Sequence, residues 1–275
     1  LIIFAKAPVP GQVKTRLCPP LTPDEAATLH GSFVIDMLER TKVAATKLKL
    51  PIDRYLACAP SSALVFFKIM EERQSVTLID QVGDDLGARM QQAFATLFGK
   101  GYRRVLIVGT DIPALPLDHY RQALSLLDTH DVVLGPALDG GYYLIGLKQP
   151  HPELFSGIDW STDRVLTATQ EKAASLGYQV NVHAIGDAGN RQVIESLALI
   201  NKDPKTRALR HRIEHAQVLE LSDIPRLKAN DIIPSMQPTH ATSDMNMAED
   251  RLGKQRLQGA YAWRTFLKQG SRIAC

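Results

Sequence analysis

The sequence predicts an α/β fold: a mostly parallel sheet with helices on both faces. Two observations carry that prediction. Short apolar runs alternate with helical patterns from Leu1 to Leu147. The run inside Arg104–Val108 is apolar throughout, as a strand buried on both faces must be.

Each element follows in order. Leu1–Ala5 reads as a strand that leads into a Lys/Pro/Gly loop. Thr22-Pro23-Asp24-Glu25 is a helix start, with Thr22 as N-cap, Pro23 in the first turn and Glu25 three residues on, and the helix should run to about Lys47. Ile52–Ala57 is a second strand, Ser61–Arg73 a helix and Val76–Asp80 a short strand. Leu86–Phe98 is an amphipathic helix, expected to stop at Gly99. Arg104–Val108 is a strand, Asp118–Leu127 a helix, and Asp131–Gly135 and Gly141–Leu147 are strands. Further on, short segments ending in His183 and His215 read as strands, as does Ile232–Met236, while Val193–Ile200 and the segment opened by Ser222-Asp223-Ile224-Pro225 read as helices.

The 275 residues are 45% apolar and 22% charged, the composition of an ordinary soluble globular protein, which argues against a disordered chain, a collagen-like fibre or a disulfide scaffold. No stretch approaches the ~20 apolar residues of a membrane span. Cys18, Cys58 and Cys275 have no CxxC spacing, which fits a reducing compartment and argues against a thiolate zinc site, so a cytoplasmic location is expected. Residues 1–178 hold 18 Lys/Arg against 19 Asp/Glu, and residues 179–275 hold 14 against 10. Neither balance suggests nucleic-acid binding. The eight His divide four and four, so the second part is His-dense.

Three segments of the first part carry chemistry. Lys6 to Arg16 follows the first strand, where ligands of open α/β sheets sit, and brings Lys6, Lys14 and Arg16 together with Pro10 and the flexible Gly11. It reads either as a phosphate-binding loop, though not of Walker type, or as a solvated basic loop. Asp111 ends the most apolar strand, placed either to hold a divalent cation on nucleotide phosphates or to cap the following turn. Asp139-Gly140-Gly141 ends the next strand, and reads either as close backbone approach to a ligand or as a tight hairpin.

AKAPVPGQVKTRL, GTDIPALP and GPALDGGYYLIGL occur in this order in residues 1–175, and with them the sequence resembles a bacterial family of small transferases with the GT-A, nucleotide-diphospho-sugar-transferase fold. Its members are associated with radical-SAM or arsenosugar-biosynthesis clusters and are similar to molybdenum-cofactor and phospholactate guanylyltransferases. The resemblance implies that Lys6, Pro10, Gly11, Lys14 and Arg16 bind the nucleotide, and that Asp111 and Asp139 are the catalytic carboxylates, binding Mg²⁺ or Mn²⁺. It implies that Gly140 and Gly141 shape the acceptor side and that Trp160-Ser161-Thr162 begins a helix closing the site. The partners implied are a nucleotide-sugar or nucleoside triphosphate and a small acceptor, with no nucleic acid and no membrane. The family's last strand and its Asp-x-Asp/Thr-Pro-Glu-Asp segment are missing.

From residue 176 the pattern changes. HAIGDAGNR, RHRIEHAQ, SMQPTHATSDM and AEDRLG look like an interior piece of a TIM-barrel amidohydrolase, in the branch that includes N-substituted formamide deformylases. From the residues alone, each strand-end His reads either as a metal ligand or as a structural, hydrogen-bonded His. The resemblance makes His183 and His215 ligands of a vestigial zinc site, on barrel strands five and six, and puts His240 in the loop after strand seven. The family's HxH pair, its bridging Lys or Glu and its strand-eight Asp are absent, so no hydrolase activity is expected. Three of eight barrel strands should also leave open edges and an unfilled core, so core-burying capacity is expected in the first part alone.

The expected division is therefore a GT-A-like domain over 1–175 and an incomplete (β/α) barrel segment over 176–275, joined near Ala174–Val182 as a chimaera that reads either as a genuine rearrangement or as an assembly or gene-calling artefact. Both ends look cut, with no Met before Leu1 and no Gly-Ser-Asp after Cys275. The function expected first is metal-dependent transfer of a glycosyl or nucleotidyl group. The alternatives are an amidohydrolase, inactive in this form, and a nucleotide-binding pseudo-enzyme.

Overall fold

In chain order the elements are β1 (Ile2–Lys6), α1 (Pro23–Lys47), β2 (Tyr55–Ala59), α2 (Val65–Gln74), β3 (Thr77–Asp80), α3 (Leu86–Gly99), β4 (Val105–Val108), α4 (Asp118–Leu126), β5 (Val132–Pro136) and β6 (Tyr142–Leu147). Then follow α5 (Val165–Ser175), β7 (Asn181–Ala184), α6 (Asp187–Ile200), α7 (Pro204–Arg207), β8 (Arg212–His215), α8 (Ile224–Ala229), β9 (Ile233–Ser235), α9 (Pro238–Leu257) and α10 (Trp263–Lys268). This computed structural model describes the backbone of residues 1–275 and the side chains of all but Met245 and Asn246; Met245, the last residue of SMQPTHATSDM, thus has a side chain outside that description. Among the described residues no helix is long and apolar enough to cross a membrane. The fold is mixed α/β with mostly parallel strand pairing.

Two compact units divide the chain: Leu1–Thr129 with Tyr143–Ser156, and His130–Tyr142 with Gly157–Cys275. This is a division by packing, and it runs elsewhere than the 175/176 boundary drawn from motifs.

In the first unit the strands lie in the order β3-β2-β1-β4-β6, parallel except for the antiparallel β4–β6 pair. Because the chain lays β2 and β3 on one side of β1 and β4 on the other, the end of β1 is a topological switch point, where loops part and leave a crevice. α1 starts as its sequence demands: the Thr22 hydroxyl accepts from the Glu25 N–H, and the Glu25 carboxylate accepts from the Thr22 N–H at 2.8 Å. Its buried face, Ala27, His30, Val34, Met37, Leu38 and Thr41, recurs every three or four residues and covers the sheet's apolar strands. Two boundaries differ from expectation. Lys100 bonds back to the Leu97 carbonyl, so α3 runs through Gly99, and the left-handed residue after it is Gly101 (φ 91°). α2 begins at Val65, because Ser61 to Leu64 form a turn held by the Ser61 hydroxyl and by Asp80.

In the second unit β5-β7-β8-β9 form a parallel ladder, with Val133 opposite Asn181, Ala184 opposite His215 and Ile213 opposite Pro234. The expectation that residues beyond 175 bury no core is corrected here. Val182, Val193, Ile194, Leu197, Ile213, Leu227 and Phe266 are fully buried, because β5 pairs with β7 and α6 lays an apolar stripe inward. α7, α9 and α10 were not foreseen. α9 breaks at Gly253, which is non-helical (φ 73°, ψ 160°).

Candidate active site

The loop after β1 is ordered by its neighbours rather than by regular structure. The Ala7 N–H bonds the Ala59 carbonyl at 2.8 Å, and the buried ring of His30 on α1 meets the Lys6 carbonyl through Nε2 at 3.0 Å. Burial pushes the His30 imidazole below its ordinary value, so at neutral pH it is uncharged and donates this bond. Val13 is buried and pins the loop, while Lys6, Pro10, Gly11 and Arg16 stay exposed. Lys14 takes a left-handed backbone (φ 52°), uncommon for a residue with a Cβ, and leads into a short 3₁₀ turn, Thr15–Leu17. Its ammonium lies 5.3 Å from the Phe33 ring centroid, a cation–π contact that holds the stem against α1.

Asp111 stands just past β4, and its Oδ1 lies 2.6 Å from Lys14 Nζ. The carboxylate is 66% exposed and the ammonium 17% exposed, so the pair presents mainly its acidic side to solvent. The two loops at the switch point are thus tied by the two charges that the sequence singled out separately. Nearby in the chain, His119 Nδ1 and the Tyr143 hydroxyl approach to 3.4 Å with their rings stacked. Burial lowers the imidazole and pushes the phenol up to about 12, so both are neutral at physiological pH.

In the second unit the loop after β5 closes on itself: the Ala137 N–H bonds the Gly141 carbonyl, and Asp139 Oδ1 accepts from the Gly141 N–H at 3.1 Å. Gly140 is required twice over. Its φ is 86°, and a Cβ there would stand 1.9 Å from the Asp163 carbonyl oxygen. The Gly140 carbonyl in turn accepts from the Leu166 N–H at 2.8 Å, in the first turn of α5. The helix expected to begin at Trp160-Ser161-Thr162 starts instead at Val165. Ser161 is left-handed (φ 67°) and the Thr162 hydroxyl bonds the Asp159 carbonyl at 2.7 Å, making a turn of that segment. Asp139, Asp163, Asp187, Arg191, Glu195 and Glu220 line an open cleft of about 720 Å³. Its carboxylates are not equivalent: Arg256 grips Asp187 at 2.7 and 3.0 Å and holds that carboxyl below its ordinary value, while Arg191 is turned to Asp223 at 2.9 Å.

Three histidines of this unit do assemble. The His183 and His215 rings meet edge to face at 4.5 Å between centroids, and His240 stacks on His215 at 4.9 Å. His215 Nδ1 is 2.6 Å from Gln237 Oε1. His240 lies in the first turn of α9, not in a loop, because Pro238 opens a helix there. Zinc requires three or four protein ligands around one point. Among the described residues no group of three or more His, Cys, Asp or Glu side chains is placed to hold a metal ion, so the residues present do not fit a zinc centre.

Sequence reasoning missed His30 and Phe33. Both look like ordinary helix-face residues, and only the fold shows them supporting the loop.

The family described as "Uncharacterized protein conserved in bacteria (DUF2064)" matches residues 42–162. Among curated proteins the chain is similar to the candidate amidohydrolase YtcJ of Bacillus subtilis strain 168, 35% identical over 126 residues, 45% of this chain and 23% of that protein. It is also similar to LONG AFTER FAR-RED 3 of Arabidopsis thaliana, 32% identical over 133 residues, 47% of this chain and 20% of that protein. The chain therefore spans less than a quarter of the length of these curated relatives. Among solved structures, a candidate nucleotide-diphospho-sugar transferase from Desulfovibrio desulfuricans G20 is 36% identical, with a TM-score of 0.59 over 66% of this chain and 77% of its own. By that identity and coverage the chain belongs to the family of this Desulfovibrio protein and has its nucleotide-diphospho-sugar transferase-like fold.

Proposed function

We propose that the chain is a metal-dependent transferase, moving a glycosyl or nucleotidyl group from a nucleotide-activated donor to a small acceptor. The observation that carries this reading is the Lys14–Asp111 pair, which joins a cationic loop to an exposed carboxylate at the switch point of the first unit. Lys6, Lys14 and Arg16 are the proposed phosphate partners, on a loop shaped by Pro10 and Gly11. Asp111 is a proposed metal-holding and catalytic carboxylate. The resemblance gives Asp139 the same role, to be tested by its own substitution, and places Gly140 and Gly141 on the acceptor side.

Exposed carboxylates suit Mg²⁺ or Mn²⁺, ions that take a few carboxylate oxygens and fill their remaining positions with phosphate and water. Charge neutralisation on the leaving phosphate is the chemistry such an ion supplies when bound. The chain's own residues bind and orient: the cations hold the phosphates in one geometry, and the Lys14 ammonium stabilises negative charge as the bond to the transferred group breaks.

Incubation of the full chain with nucleotide sugars or nucleoside triphosphates, a panel of small acceptors and Mn²⁺ tests the reading. Release of nucleoside diphosphate identifies glycosyl transfer, and release of pyrophosphate identifies nucleotidyl transfer. Tight nucleotide binding with no turnover across the panel would favour the pseudo-enzyme instead. The fusion of a 1–175 transferase domain to a 176–275 barrel segment belongs to the same proposal. One continuous amplification product from source DNA across Ala174–Val182 is its expected result.

A further inference from the structure

The end of α3, the turn that leads into β4 and the residues after β6 line an open groove of about 660 Å³. Arg103 precedes β4 and Asp111 follows it, so the groove lies at the opposite end of that strand from the Lys14–Asp111 pair. Ala95, Phe98, Tyr102 and Pro150 give the groove its apolar surface, and Arg103 and Lys148 give it cationic walls.

The apolar surface is held in place from behind. Phe98 stacks on the buried Phe94 with centroids 6.1 Å apart, and Phe94 meets Phe155 at 5.8 Å. Tyr102 sets its ring edge to face with Tyr55 at 5.9 Å and donates its hydroxyl to Asp53 Oδ2 at 2.7 Å. The last carbonyls of α3, which would repel an anion, are capped: Leu97 accepts from the Lys100 N–H at 3.1 Å and Phe98 from the Gly101 N–H at 2.9 Å.

The two arginines before β4 differ. Arg104 is committed to Asp128 at 2.6 Å and to the Leu124 carbonyl at 3.1 Å. Arg103 is exposed and, among the described residues, has no hydrogen-bond or carboxylate partner. Lys148 is engaged in interactions of its own, so the open charge of the groove is that of Arg103. An unpaired guanidinium beside a preformed aromatic surface complements an oxyanion joined to a flat apolar body: the planar fork takes two oxygens and the rings take the body.

We propose that this groove binds a small organic anion of that kind, through Arg103 at its head and Phe98 and Tyr102 along its body. The site is separate from the proposed donor site and stands or falls without it.

NMR titration of the full chain, observed on the ligand, tests this with naphthalene-2-carboxylate, 2-naphthyl phosphate, the neutral naphthalene-2-methanol and inorganic phosphate. The proteins compared are wild type, Arg103→Gln, Ala95→Glu and Lys14→Met. Ala95 is exposed on α3, where Glu keeps a good helix former and sets a negative charge on the groove. The two naphthyl anions should bind wild type more tightly than the alcohol or phosphate, and the tighter of the two identifies the head group. Arg103→Gln and Ala95→Glu should each weaken both anions about tenfold, with urea midpoints close to wild type. Lys14→Met should keep naphthalene-2-carboxylate affinity within about twofold. Equal affinity in wild type and Arg103→Gln, or loss of the carboxylate in Lys14→Met, overturns the proposal. So does an alcohol that binds as tightly as the anions, or a wild-type chain that binds neither anion.

Discussion

Lys14 Nζ and Asp111 Oδ1 stand 2.6 Å apart, joining the loop after β1 to the end of β4. These strands are parallel neighbours, Ile3 opposite Val108, so their C-terminal ends emerge side by side. The pair holds in register the two charges that the proposed phosphate and metal binding would use.

Replacing Lys14 by Met should therefore affect binding much more than folding. Asp111 is two-thirds exposed, so loss of the pair should cost under about 1 kcal/mol of stability. A charge-assisted bond to phosphate is worth roughly 1.5–3 kcal/mol, so nucleotide affinity should fall by about ten- to a hundredfold. Urea denaturation and titration calorimetry on the same preparation separate the two effects.

Gly140→Ala should destabilise the second unit by roughly 2–4 kcal/mol, because φ is positive and the new methyl would collide with the Asp163 carbonyl. Gly141→Ala is the control: its Cβ would stand 3.3 Å from Asp139 Oδ1, a contact that a side-chain shift relieves. Comparable losses in the two variants, measured by denaturant titration, would count against this account of the loop.

Stability should fall on acidification partly through His211. This fully buried imidazole accepts the Val180 N–H at Nδ1, 2.9 Å away, and burial pushes it down to about 4 from an ordinary 6.5. A group lowered on folding contributes in full above its unfolded value and loses that contribution as pH falls toward the folded one. The window is thus from about 6.5 to about 4, and the loss is of order 3 kcal/mol. In His211→Gln, which keeps an acceptor without titrating, urea midpoints should drop less across that window.

Much of the fold was legible because its signals are local. The Thr22–Glu25 capping box and the apolar run of β4 need no knowledge of neighbours, and both elements lie where the residues placed them. The misplaced features depend on contacts distant in sequence. α5 starts late because Ser161 turns left-handed and Asp163 packs against Gly140. The residues beyond 175 bury a core because β7 pairs with β5 and α6 lays its apolar stripe on the ladder. At the site, Lys14 was visible as a charge in the loop after the first strand and Asp111 as one at a strand end, but their pairing is a consequence of strand order. His30 and Phe33 act through a backbone carbonyl and a ring face, which leave no motif.

Removal of the exposed carboxylates should separate metal from nucleotide. Asp111→Ala should retain weak nucleotide binding through the loop cations and lose its response to Mn²⁺, and Asp139→Ala should do the same. Paired titrations with and without EDTA read this directly. A variant that keeps full metal enhancement would remove its residue from the proposed metal site.

The central claim is that this chain binds a nucleotide-activated donor with the help of a divalent cation. Calorimetric titration of nucleotide sugars into the full chain, once with Mn²⁺ and once with EDTA, tests it most directly. The account predicts saturable binding of at least one nucleotide sugar, strengthened by about tenfold or more with the metal. Binding that is absent, or equally strong in EDTA, would contradict it.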